Sequence, residues 1–172
     1  MKILGIDPGY ERLGIAILEK NKNEKQEKVI FSECFKTSAK LEFTERLFLI
    51  GEEVKRVIKK HNPEVLAIET LFLNTNQKTV MRVAEARGVA IYEAANAGLK
   101  IFEASPPQIK IATTGYGRAN KEQIMKMIRI LVDIEKSKAS DDELDAIAIA
   151  LTAFAHLKCW QAFFILLQSR HY

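Results

Sequence analysis

The apolar positions fall into short runs that end on chemically unexpected residues. Ile3, Leu4 and Ile6 lead to Asp7-Pro8-Gly9. Proline fixes φ and glycine tolerates positive φ, so this triplet suits a turn and the run predicts a strand over Lys2–Asp7. Leu13, Ile15 and Ile17 alternate with Gly14 and Ala16, predicting a second strand over Arg12–Leu18. The charged stretch 21–28 predicts a hairpin loop, and Val29–Phe35 a third strand, together forming an antiparallel meander. The period then changes. Phe43, Leu47, Ile50, Val54 and Val57 share one helical face within Leu41–His61, which Asn62-Pro63 ends. Val65–Glu69 (VLAIE) predicts a short buried strand and Thr79–Ala97 a second helix. Met81, Ala84, Gly88, Ile91 and Ala95 line one face of that helix, and Val80, Val83 and Ala90 make another side apolar. Lys100–Ala104 predicts a fifth strand, stopped by Pro106-Pro107, and the remainder reads as helical, with Lys121–Val132 amphipathic. Ser140-Asp141-Asp142-Glu143 matches a capping box, so a last helix should begin there. The order predicts an α/β fold: a five-stranded mixed sheet flanked by helices.

The totals narrow the function classes. The 172 residues fit one domain, and 26 Lys and Arg against 22 Asp and Glu leave a mild basic excess that permits an anionic partner such as nucleic acid. Cys34 and Cys159 make no disulfide framework, which points to a reducing compartment. With no signal-like start, a cytoplasmic location is expected. The apolar stretch from Leu144 to Leu167 contains Asp145, His156, Lys158 and Gln161, so a membrane-spanning segment is rejected.

Two acids stand where apolar residues should. Asp7 and Glu69 each close a buried run, and ligands in open α/β sheets gather at that edge. If the first and fourth strands are parallel neighbours, the two carboxylates sit side by side. Asp142 and Asp145, three apart, share a helix face, and Asp145 precedes the apolar run AIAIALTAFA, where a carboxylate needs a partner. For Asp142 alone, a favourable first-turn interaction with the helix dipole is a sufficient explanation. Two carboxylates about 4 Å apart repel by roughly 4 kcal/mol at an effective dielectric near 20, so a cluster calls for cations or protonation. An all-oxygen set suits Mg²⁺ or Mn²⁺, and two such ions about 3.5–4 Å apart activate water and stabilise the leaving oxygen in phosphodiester cleavage.

The segments GIDPGYERLGIAIL, AIETLFLNTNQ, EARGVAIYEAA, QIKIATTGYGRANKEQI and DDELDAIAIA, in this order, resemble the RuvC family of Holliday-junction resolvases. The resemblance runs to about residue 156 and implies a ribonuclease H-like fold. It implies a homodimeric, Mg²⁺-dependent endonuclease that nicks two opposed strands of a four-way DNA junction in recombination and repair. The family's acidic tetrad falls on Asp7, Glu69, Asp142 and Asp145, with Asp141 as the rival in register. Its DNA-contacting lysines fall on Lys110 and Lys121, its base-stacking aromatic on Phe72, and Asn76 also matches. The loop TTGYGRANK adds Arg118, which with exposed amides suits phosphate. The helix bearing EARGV is where related proteins dimerise, placing a two-fold axis near Met81–Ile91, and a branch-migration motor is an implied partner. The nuclease domain is expected over 1–157. The apolar tail 158–172 matches no family motif and is expected to pack on the domain or the dimer contact. An alternative is a ribonuclease H-like nuclease acting on RNA or another branched nucleic acid.

Overall fold

The structure is a computed structural model. It describes residues 1–21, 26–71, 77–134 and 139–168, with backbone only at 77–78 and 158–168. The sheet has six strands in the order β5-β4-β1-β2-β3-β6. These are β1 (Lys2–Asp7), β2 (Arg12–Glu19), β3 (Glu27–Lys36), β4 (Val65–Glu69), β5 (Lys100–Ala104) and β6 (Val132–Asp133). The helices are α1 (Phe43–His61), α2 (Gln77–Asn96), α3 (Pro106–Thr114), α4 (Lys121–Leu131) and α5 (Asp141–Gln168).

The meander is antiparallel, and β4 runs parallel to β1 with Ile6 opposite Ile68, as expected for side-by-side acids. The expected fifth strand is present as β5, parallel to β4. The sixth strand was not anticipated. Val132–Asp133 pairs with Glu27–Lys28, so the end of the expected loop 21–28 belongs to β3. A two-residue strand is too short to show any period. Pro106-Pro107 ends β5 and also begins α3, because proline at the first helical positions loses no helix hydrogen bond.

Period-two alternation sends side chains to both faces of the sheet. Leu4 and Ile6 of β1, with Ile15 and Ile17 of β2, meet Ile50, Val54 and Val57 of α1 and the alanines Ala86, Ala90 and Ala94 of α2. Ile3, Ala16 and Leu18 instead meet Ala146, Ile149, Ala150 and Phe154 of α5. Asn62 caps α1 in the left-handed conformation at φ 49°. Of the two apolar sides of α2, the one through Ala90 meets the core, whereas Met81, Ala84, Gly88 and Ala95 are exposed; a Cβ at Gly88 would meet nothing within 4 Å, so close packing inside the protomer does not explain that glycine.

From Ala146 to Phe154 helix α5 is buried on every side, as an apolar run without a polar face requires. Two glycines let it lie directly on the sheet. A Cβ at Gly5 would overlap the Ala146 carbonyl oxygen, and one at Gly14 would overlap that of Asp142. The capping box forms as expected: the Ser140 backbone N–H donates to Glu143 Oε2 at 2.8 Å, and the Glu143 N–H reaches Ser140 Oγ at 3.4 Å. Ser140→Ala should lower stability by about 1 kcal/mol, measured by urea unfolding. Among the described residues no helix is long and apolar enough to cross a membrane. The backbone of α5 continues past 157 to Gln168 without a break.

Candidate active site

Asp7 and Glu69 close adjacent parallel strands, so the ladder sets their backbones side by side. Helix α5 crosses the same edge and brings Asp145 to them. Asp7, Glu69 and Asp145 line one cavity of about 200 Å³, with Lys110, Pro106 and Ile109 of α3, Ile124 of α4, and Ala148 and Ile149 of α5. The wall is therefore apolar behind the carboxylates and cationic at Lys110.

The electrostatics follow from that placement. Burial pushes the Asp7 carboxyl up to about 7, with Asp145, Glu69 and Asp142 adding to the rise and Lys121 opposing it. Burial and then Asp145 raise Glu69. Burial also raises Asp145, against the pull of Lys121. The site holds more negative charge than its own cations neutralise, so it favours either protons or an added cation.

All three aspartates of α5 already have monovalent partners. Lys121 Nζ, at the start of α4, lies 3.2 Å from Asp145 Oδ2 and 3.2 Å from Asp141 Oδ2. Asp142 Oδ2 accepts from the Arg12 guanidinium and, at 3.3 Å, from the Cys34 thiol. Asp141, the rival in register, is 71% exposed and is absent from the groups that raise Asp7, whereas Asp142 is among them. Among the described residues no three Asp, Glu, His or Cys side chains already surround one ion position. Two of the four expected carboxylates, Asp142 and Asp145, are thus held in ion pairs with Arg12 and Lys121.

Arg118 is exposed in the loop between α3 and α4, beside the exposed Tyr116. Phe72 and Asn76 lie outside the described residues. Sequence reasoning passed over Arg12, Cys34 and Arg87. Arg87 of α2 donates from Nε to the Glu69 carbonyl oxygen at 2.9 Å and pairs through Nη2 with Glu103 of β5, tying α2 to the end of the strand that carries Glu69. These partners are distant in sequence and leave no local spacing to read.

The family model described as "Crossover junction endodeoxyribonuclease RuvC" matches residues 3–153. The chain belongs to the RuvC family. The RuvC of Alkaliphilus metalliredigens is 43% identical over 164 residues, covering 95% of this chain and 98% of that protein. That of Caldanaerobacter subterraneus is 39% identical over 151 residues, covering 88% and 90%. Among solved structures, Thermus thermophilus RuvC in complex with a Holliday junction substrate superposes with a TM-score of 0.82 at 30% identity, covering 88% of this chain and 92% of that one. The yeast mitochondrial resolvase Ydc2, at 16% identity and a TM-score of 0.68, shares the fold. The ribonuclease H-like architecture expected from the sequence is therefore that of the RuvC family, with six strands where five were expected.

Proposed function

We propose that this RuvC-family chain is an endonuclease that resolves four-way DNA junctions by hydrolysing phosphodiester bonds in two opposed strands. Mg²⁺, with Mn²⁺ as a substitute, is the cofactor, and two ions serve each site. The single observation that carries this reading is the gathering of Asp7, Glu69 and Asp145 in one cavity at a sheet edge, with Asp142 close enough to raise Asp7. The RuvC relative solved with a Holliday junction supports the substrate class.

The donor set fits the cofactor. All four acids offer hard oxygen ligands, which suit Mg²⁺ and Mn²⁺. The elevated Asp7 marks the site as short of positive charge. Asp7, Glu69, Asp142 and Asp145 would hold the ions, which when bound supply an activated water and Lewis-acid stabilisation of the leaving oxygen. The chain's own cations do the rest. Lys110 faces the cavity and meets the phosphate backbone, while Lys121 offsets Asp145 and Asp141 and takes phosphate as the strand enters. Arg118 extends this cationic rim. Phe72 and Asn76, just beyond Glu69 in sequence, contact bases near the cut; stacking of that kind is worth roughly 1–3 kcal/mol.

The homodimer supplies the pairing of cuts, because a two-fold axis presents two sites to two strands. The exposed face of α2 with Met81, Ala84 and Gly88 suits that contact. A branch-migration motor is the further partner, and the cytoplasm the location.

The test is cleavage of a synthetic four-way junction, a linear duplex and an RNA–DNA hybrid in Mg²⁺. Selective, symmetric nicking of the junction is expected; preferential cutting of the hybrid would replace this reading with a ribonuclease. Lys110→Ala should weaken junction binding and reduce the slope of log affinity against log salt by about 1, measured by titration at several salt concentrations.

A further inference from the structure

Among the described residues, Arg12 is a cation beside the acidic cluster to which neither the family resemblance nor the cavity lining gives a role. It opens β2, directly after the Asp-Pro-Gly turn, and the β2–β3 ladder fixes its backbone opposite Lys36. Its guanidinium reaches Asp142 Oδ2, the oxygen that also accepts from Cys34. The carboxylate side chain is 20% exposed and the arginine 54%, so the pair is open to ions from solvent and the arginine is free to swing away. Lys121 pulls the Asp7 carboxyl down, but Arg12 is absent from the groups acting on Asp7. Of the four acids, Arg12 pairs with Asp142, and Cys34 is its other polar neighbour.

We propose that Arg12 is the resting counter-ion of Asp142, which a divalent cation must displace, so that Arg12 sets how much metal this site requires. The inference rests on Asp142 being a metal ligand. A guanidinium and a divalent cation compete for the same carboxylate oxygen, and whatever stabilises the ion pair is subtracted from metal affinity. An ion pair with one exposed partner alters such an equilibrium by about two- to fivefold. Arg12 thus raises the metal concentration at which the site fills, and prevents Asp142 from standing unpaired beside Asp7 before it does. The released guanidinium then points a cation at the same edge where the DNA strand must lie.

Mn²⁺ binding without DNA, followed by the electron paramagnetic resonance signal of free Mn²⁺ at pH 8, tests this directly. Arg12→Gln should bind Mn²⁺ about two- to fivefold more tightly than wild type, and Arg12→Lys should fall between them. Lys36→Gln removes a neighbouring exposed charge that does not pair with Asp142, and should change affinity by less than about 1.5-fold because solvent screens it. Asp142→Asn should lose Mn²⁺ sites or weaken them severely. Unchanged or weaker binding by Arg12→Gln, alongside impaired Asp142→Asn, would overturn the role of Arg12 and leave the metal site standing. Equal tightening by Lys36→Gln and Arg12→Gln would reduce the effect to general field and overturn the pairing. Wild-type binding by Asp142→Asn would instead remove the ligand assignment on which the inference rests. Melting curves in the absence of metal verify that each variant is folded.

Discussion

Asp7→Asn should retain junction binding, lose strand cleavage by at least about a thousandfold, and melt at a higher temperature than wild type in metal-free buffer at pH 8. The loss of cleavage follows from removing a ligand whose metal supplies several kcal/mol of charge stabilisation, at about 1.4 kcal/mol per factor of ten. The gain in stability follows from the position of Asp7. Its carboxyl titrates at about 7 in the folded chain against an ordinary 3.8, because it is buried among Asp145, Glu69 and Asp142. Between these values the folded protein holds a proton that the unfolded chain has released. Stability therefore falls as pH rises through that window, by roughly 4 kcal/mol in all if the full shift is expressed. Asparagine is neutral at every pH and escapes this cost. The melting temperatures should converge near pH 4 and separate by about 10 °C at pH 8, given roughly 2–4 °C per kcal/mol for a chain of this size. Added Mg²⁺ should raise the wild-type melting temperature by mass action and move Asp7→Asn much less. Differential scanning calorimetry at pH 4 and 8, with and without Mg²⁺, reads all of these effects. A variant that melts below wild type at pH 8 in the absence of metal would show that Asp7 is not held against its charge.

Gly14→Ala should damage stability and chemistry together. The added methyl would overlap the Asp142 carbonyl oxygen and stand 3.1 Å from the Asp7 Cβ, and a backbone carbonyl in the first turn of a buried helix has nowhere to move. Overpacking of this kind costs typically 1–3 kcal/mol, and the contact with backbone puts this site at the upper end. The expected fall in melting temperature is roughly 6–12 °C. Relief comes only by lifting α5 from β2, which carries Asp142 and Asp145 away from Asp7. Displacements near 1 Å cost about a hundredfold in rate, so cleavage should fall by that factor in the folded fraction. Gly88→Ala is the natural comparison: it meets no atom within 4 Å in the protomer, so the fold should accept it. Urea unfolding and junction cleavage on the two variants separate close packing on the sheet from a demand at the dimer contact.

The parts of the fold that were legible in the sequence are those where a local pattern and a tertiary role coincide. Asp7 and Glu69 were visible because each interrupts a buried run at its last position, and the parallel β1–β4 pair then brings their backbones together. The start of α5 was visible because the capping box is a four-residue signal that the helix uses as written. Other features leave weaker traces. Ala86, Ala90 and Ala94 carry α2 onto the core, yet alanine contributes little to a hydrophobic period, so of these three only Ala90 is legible as part of an apolar side. Pro106-Pro107 reads as a stop whether or not a helix begins there. Arg12 and Asp142 are 130 residues apart, and nothing near either one announces the other. The acidic types were therefore readable, and so was their need for positive charge, while the residues that supply part of it, Arg12 for Asp142 and Lys121 for Asp145, were not.

Asp7 is expected to anchor a divalent-cation site shared with Glu69, Asp142 and Asp145. Anomalous diffraction from crystals soaked in Mn²⁺ at pH 8 tests it most directly. Manganese density in contact with the Asp7 carboxylate, with the other three acids as the remaining protein ligands, is the predicted result. A protein that cleaves junctions with Mn²⁺ yet places every manganese peak out of reach of Asp7 would contradict it.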